Sequence, residues 1–143
     1  MSNQPPEWLQ PIWTGSDIGI STEQPILKVF HSPQAWQRFI GPRWLNADKV
    51  SKPDSLDWSQ WALLLMLAVP SSDPGKDLIL RKAALADDKV VIKLDIEPDP
   101  NARQDLDVET QRSMLARGSR KVFRPDVSVE FDITGNKGVV THD

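Results

Sequence analysis

Residues 61–69 (Trp61-Ala62-Leu63-Leu64-Leu65-Met66-Leu67-Ala68-Val69) are apolar without a break and stop at Pro70. The run is far short of the roughly 20 residues a membrane helix needs. It also lacks the apolar–polar alternation of a half-buried strand. Leu, Met and Ala favour a helix on propensity alone. However, the bounding turn residues and the two strand-like segments that follow fit a central strand covered on both faces better.

Those two segments, 78–85 and 89–97, read as a hairpin about Ala86-Asp87-Asp88. In the second, Val90, Ile92, Leu94 and Ile96 fall on one face, while Val91, Lys93, Asp95 and Glu97 fall on the other. This is the habit of an antiparallel sheet with one wet face, ended here by Pro98 and Pro100. Residues 127–133 repeat the pattern through Val127, Val129, Phe131 and Ile133. Gly135-Asn136-Lys137-Gly138 then predicts a tight turn into a last short strand, 139–141. Upstream, 17–21 and 26–30 read as strands. Ser32 as N-cap and Pro33 at the first helical position predict a helix over about 33–40, stopped by Gly41-Pro42. Trp36, Phe39 and Ile40 share one face of it. Residues 46–57 and 70–76 read as loops. The expected fold class is therefore α+β, a mostly antiparallel sheet of five to seven strands with the one short helix packed on it.

Around this core two regions are expected to differ. Residues 1–15 hold Pro5, Pro6 and Pro11 with Trp8 and Trp13, which predicts an arm docked on the domain rather than a helix or central strand. The remaining 16–143 forms a single domain, interrupted by a long polar excursion at 99–119 with a short helix around 108–115.

Composition restricts what the domain can do. A chain of 143 residues with a net charge of −3 carries no electrostatic footprint for nucleic acid or an anionic membrane. With no cysteine, disulfides, thiolate metal sites and cysteine nucleophiles are excluded. Nothing at the N-terminus resembles a signal peptide, so the chain as written is expected in the cytoplasm, or exported if it is a trimmed mature form. No phosphate-binding loop, dinucleotide fingerprint or nucleophile elbow occurs. Of two histidines, His31 lies between a strand and a helix cap and His142 near the end, so neither suggests a catalytic base. No catalytic residue and no cofactor is expected.

Three groups of residues invite a binding role. Asp95, Glu97 and Asp99 would project to one side of an extended chain about 6–7 Å apart, fit for a cation or a basic partner. A solvated strand face with Lys93 pairing Asp95 is the plainer alternative. Arg112, Arg117, Arg120, Lys121 and Arg124 make a basic stretch, read mainly as an internally paired loop, with Arg112 and Arg117 as partner-facing candidates. All six tryptophans lie within the first 61 residues. Trp36, Trp58 and Trp61 are expected in the core, whereas Trp8, Trp13 and Trp44 are candidates to line a binding surface.

The order of elements across 26–100 resembles the PrcB C-terminal type of domain found in subunits of bacterial protease complexes. The resemblance rests on Ser32-Pro33-Gln34-Ala35-Trp36, on Leu56-Asp57-Trp58 before the apolar strand, and on the hairpin that follows. Where such domains carry a glycine pair and an aromatic, this chain has Pro74-Gly75-Lys76-Asp77-Leu78. The resemblance implies a small non-enzymatic domain, often exported, that binds or steadies a protein partner. A protein-interaction domain is the expected function, with a cation- or small-ligand-binding module on Asp95, Glu97 and Asp99 as the alternative.

Overall fold

The computed structural model describes residues 5–16, 22–40, 56–71, 75–98 and 111–143. In chain order its elements are β1 (Leu9–Ser16), β2 (Ile26–Phe30), α1 (Pro33–Ile40), β3 (Trp61–Leu67), β4 (Leu78–Ala86), β5 (Lys89–Ile96), β6 (Arg112–Ser119), β7 (Ser128–Ile133), β8 (Asn136–Lys137) and β9 (Val139–His142). The α+β architecture with one short helix is present. Its strands divide into a five-stranded sheet, β1-β6-β3-β2-β9, and a four-stranded sheet, β4-β5-β7-β8. Pairing is antiparallel except for β2 with β9 and β5 with β7.

The apolar run explains the layering. Leu63, Leu65 and Leu67 of β3 point to the side where Trp36 and Ile40 of α1 pack with Phe30 and Leu115. Ala62, Leu64 and Met66 point to the other side, where they meet Val90, Ile92, Leu94 and Phe131 of the second sheet. With a helix above and a sheet below, β3 has no wet face, so its sequence has no alternation. The predicted cap of α1 is formed, with the Ala35 N–H donating to Ser32 Oγ at 3.1 Å. A bulge between Leu80 and Lys82 lets β4 keep Leu78, Leu80 and Ala83 opposite Ile96, Leu94 and Ile92.

Two steps that use glycine carry the chain from β7 to β9, and the second crosses between the sheets. Thr134 (φ 52°) and Gly135 (φ 83°) turn β7 back into β8 through left-handed backbone, as two-residue hairpins require. The predicted turn at 135–138 is thus displaced, with Asn136 and Lys137 pairing onto β7 instead. At Gly138 the chain then crosses to the first sheet. A Cβ there would lie 2.5 Å from the Phe131 ring and 2.7 Å from the Pro25 carbonyl, an approach only glycine permits.

One expectation needs correction. Residues 112–119 belong to no excursion and no helix; they form β6, held between β1 and β3 in the interior of the five-stranded sheet. Its polar residues are compatible with this position because their groups are bonded within the fold: Ser113 Oγ donates to Gly15 O at 3.3 Å, and Arg112 donates to two carbonyls. The rest of that predicted excursion, 99–110, lies outside the described residues, as do the strand predicted at 17–21 and most of the 46–57 loop. In the N-terminal arm, residues from Leu9 onward form an edge strand, a position open to the prolines that bar a helix or a central strand. Pro11 is tolerated because β1 pairs on one side only and its register shifts between Pro11 and Trp13. Among the described residues no helix is long and apolar enough to cross a membrane.

Candidate functional site

On the five-stranded sheet α1 packs over β2 and β3, and the same face continues beyond it across β6 to β1. Alternation places Trp61 of β3 and Arg117 of β6 on this continuation. The exposed Arg117 guanidinium lies 4.3 Å from the centre of the half-buried Trp61 ring. A cation over an indole face contributes about 0.5–1 kcal/mol at an exposed position, and it fixes both side chains. Trp13 joins the same face and packs against the α1-side core, with its indole lying across Gly15. Trp58 reaches that core from a turn in which Asp57 Oδ1 accepts from the Ser59 N–H at 3.1 Å.

The structure therefore sorts the predicted partner-facing residues. Trp13 and Arg117 come to one face, joined there by Trp58 and Trp61, which sequence reasoning consigned to the core. Trp61 was missed because it opens the apolar run; its position as the strand's first residue is the only sequence sign that it lies at a sheet rim. Trp8 sits elsewhere, 5.9 Å from the Phe123 ring and packed on the core between the sheets. Trp44 lies outside the described residues.

Arg112 is not at the surface. It is 3% exposed, with Nε donating to Lys76 O at 2.9 Å and Nη2 to Gly75 O at 3.2 Å. It tethers the approach to β4, so its partner-facing assignment is corrected. Of the rest of the basic stretch, Arg120 reaches the carbonyl of His31 and Arg124 lies 3.5 Å from Asp126 on the surface, so these partners are internal although 112–119 is strand and not loop.

On the acidic strand face, the Asp95 carboxylate is engaged in local interactions. Asp95 Oδ1 accepts from the Ile96 N–H at 2.8 Å, and Oδ2 lies 3.7 Å from Arg81. Lys93 turns to Asp132 at 3.8 Å rather than to Asp95. Glu97 exchanges backbone bonds with Lys76 and Asp77, and Asp99 lies outside the described residues. Among the described residues no three His, Cys, Asp or Glu side chains are grouped to hold a metal ion. A depression of about 250 Å³ between Pro25, Ala68, Ile96 and Ile133 has Thr134 and Asn136 at its edge. Asn136 Nδ2 donates to Thr134 Oγ1 at 3.4 Å, and Thr134 Oγ1 donates to the Ile133 carbonyl at 2.7 Å.

The two histidines, which in sequence suggest no joint role, meet in the fold. His31 follows β2 and His142 ends β9, and parallel pairing sets Val29 beside His142. His31 Nε2 is 2.9 Å from His142 Nδ1, with the rings 12° from parallel. The ring centres are 5.2 Å apart; subtracting the 2.9 Å contact leaves about 2.3 Å, the two centre-to-nitrogen radii. The imidazoles therefore lie end to end in one N–H···N hydrogen bond and are not stacked face to face. Burial, then His142, then Arg120 hold the His31 imidazole below its ordinary value of 6.5. No sequence signal announces this pair, since its members lie 111 positions apart.

No family model, curated protein or solved structure matches this chain.

Proposed function

We propose that this chain is a non-enzymatic protein-interaction domain that engages an acidic side chain of its partner at the Trp61–Arg117 face. The observation that carries this reading is the Arg117 guanidinium held 4.3 Å over Trp61 on a sheet face beyond the helix. Tryptophan and arginine are the residues most enriched where binding energy concentrates. A guanidinium held over an indole keeps its planar fork of N–H donors, which matches a carboxylate. Because the two side chains already fix each other, less rotamer freedom is lost on binding. The resemblance of 26–100 to partner-steadying domains supports the same class of function.

The test compares wild type with Arg117→Glu and Arg117→Lys as immobilised baits, each with its melting curve measured. The expected result is a protein retained by wild type, weakened by Arg117→Lys and by added salt, and lost with Arg117→Glu at unchanged stability. The same proteins retained equally by all three would sink the proposal.

A further inference from the structure

We infer that His31 and His142 form an acid-sensitive latch, which adds one shared hydrogen bond to the backbone pairing of β9 with β2 and loosens that pairing when both imidazoles are protonated. In the neutral pair, one facing nitrogen carries the hydrogen and the other offers its lone pair. A first added proton can settle on an outward nitrogen and leave the N–H···N bond in place. A second must place hydrogen on both facing nitrogens, which turns a 2.9 Å bond into a contact between two donors and two like charges.

The surroundings sharpen the effect. Arg120 donates from Nη2 to the His31 carbonyl, and its Nε is buried without a hydrogen-bond partner. A doubly protonated pair would thus make three cations in a partly buried corner. The opposing charge nearby is Asp143, which pairs with Lys28 at 3.2 Å and so bridges the same two strands. Lys28 in turn lies 5.3 Å from the Phe39 ring. That second clamp does not depend on either imidazole, so loosening begins at the histidine end.

What yields is also fixed by structure. The four-residue β9 sits at the sheet edge; Val139 is exposed and Val140 is only partly buried. A short edge strand with so little burial opens locally at far lower cost than the whole fold. Its release uncovers the hydrogen-bonding edge of β2, an opening for another strand to add.

Backbone amide exchange by NMR decides the matter, corrected for intrinsic rates and referenced to Met114–Ala116 in β6. Between about pH 7.5 and about pH 5, protection at Val139 and Asp143, whose N–H groups donate to the Pro25 and Val29 carbonyls, should fall roughly tenfold or more relative to that reference, because imidazoles titrate across this range. In His31→Gln and His142→Gln the pH dependence should vanish. Equal pH dependence in variants and wild type, or none in wild type, would overturn the latch. Should the variants fail to fold, imidazole ¹⁵N titration of wild type substitutes. Two independent, uncoupled protonations with β9 protection unchanged would overturn it equally.

Discussion

Gly118 and Phe123 occupy one site between them: a Cβ on Gly118 would fall 2.5 Å from the Phe123 ring and 2.8 Å from Leu64 Cδ1. The ring of Phe123, fully buried on a turn just past β6, fills the place where a side chain on that strand would stand. The missing side chain is thus what lets the turn close over the core between the sheets.

Gly118→Ala should therefore destabilise by about 1–3 kcal/mol, the cost of forcing an extra carbon into a packed core. Equilibrium urea unfolding measures it, and the same substitution in a Phe123→Leu background should cost less, because the two positions share space. Equal costs in both backgrounds would show that the ring is not what the new carbon meets.

Trp36→Ala should cost about 3–5 kcal/mol, the range for emptying a large buried aromatic site. Trp36 is 3% exposed and meets Phe30 edge-on at 5.3 Å, so its removal uncovers the side of β3 on which α1 packs. A urea midpoint unchanged from wild type would mean that α1 contributes little to holding the sheet.

How far the sequence announces this fold depends on whether burial is one-sided. β5 is legible because Val90, Ile92 and Leu94 face a core while Lys89 and Lys93 face water. β3 is legible because it is apolar on both sides. β6 is not, although it is as interior as β3, because Arg112, Ser113, Arg117 and Ser119 look like surface residues. Arg112 and Ser113 bond to carbonyls, and Arg117 lies over an indole, that only the folded chain brings near, and local polarity carries no record of such partners. The Trp61–Arg117 contact and the histidine pair were hidden for the same reason: each joins strands far apart in sequence. Replacing 99–119 by a short Gly-Ser link, harmless if it were a loop, should abolish folding by removing β6, and circular dichroism would show it.

Stability should depend on pH near neutrality through His31. Its imidazole is depressed by burial, by His142 and by Arg120, so the unfolded chain binds a proton more readily than the folded one. Folding stability then rises with pH wherever that difference operates. The contribution is fully present above the ordinary value of 6.5 and is lost as pH falls toward the depressed one. Urea midpoints collected across this window should decline on acidification in wild type and decline less in His31→Gln. A slope of opposite sign would contradict the buried placement of the ring.

Arg112 and Arg117 separate structure from binding on a single strand. Both belong to β6, and their odd separation of five positions puts them on opposite faces of the sheet. Arg112 is buried and bonds to the carbonyls of Gly75 and Lys76, which lead into β4. A hydrogen bond to a charged group contributes about 1.5–3 kcal/mol, so Arg112→Ala should lose at least that much. Arg117 lies exposed over Trp61, and Arg117→Ala should cost no more than about 1 kcal/mol. The loss at Arg112 should also have a place. Lys76 N–H donates to Glu97 O and Glu97 N–H to Asp77 O, each at 2.9 Å, and these bonds close the segment that Arg112 holds. Amides of Lys76 and Glu97 should exchange faster in Arg112→Ala than global unfolding accounts for, while those of Val90 and Ile92 should not. If both arginine variants unfold at the same urea concentration, Arg112 is no tether, and the segment before β4 stands on its backbone bonds alone.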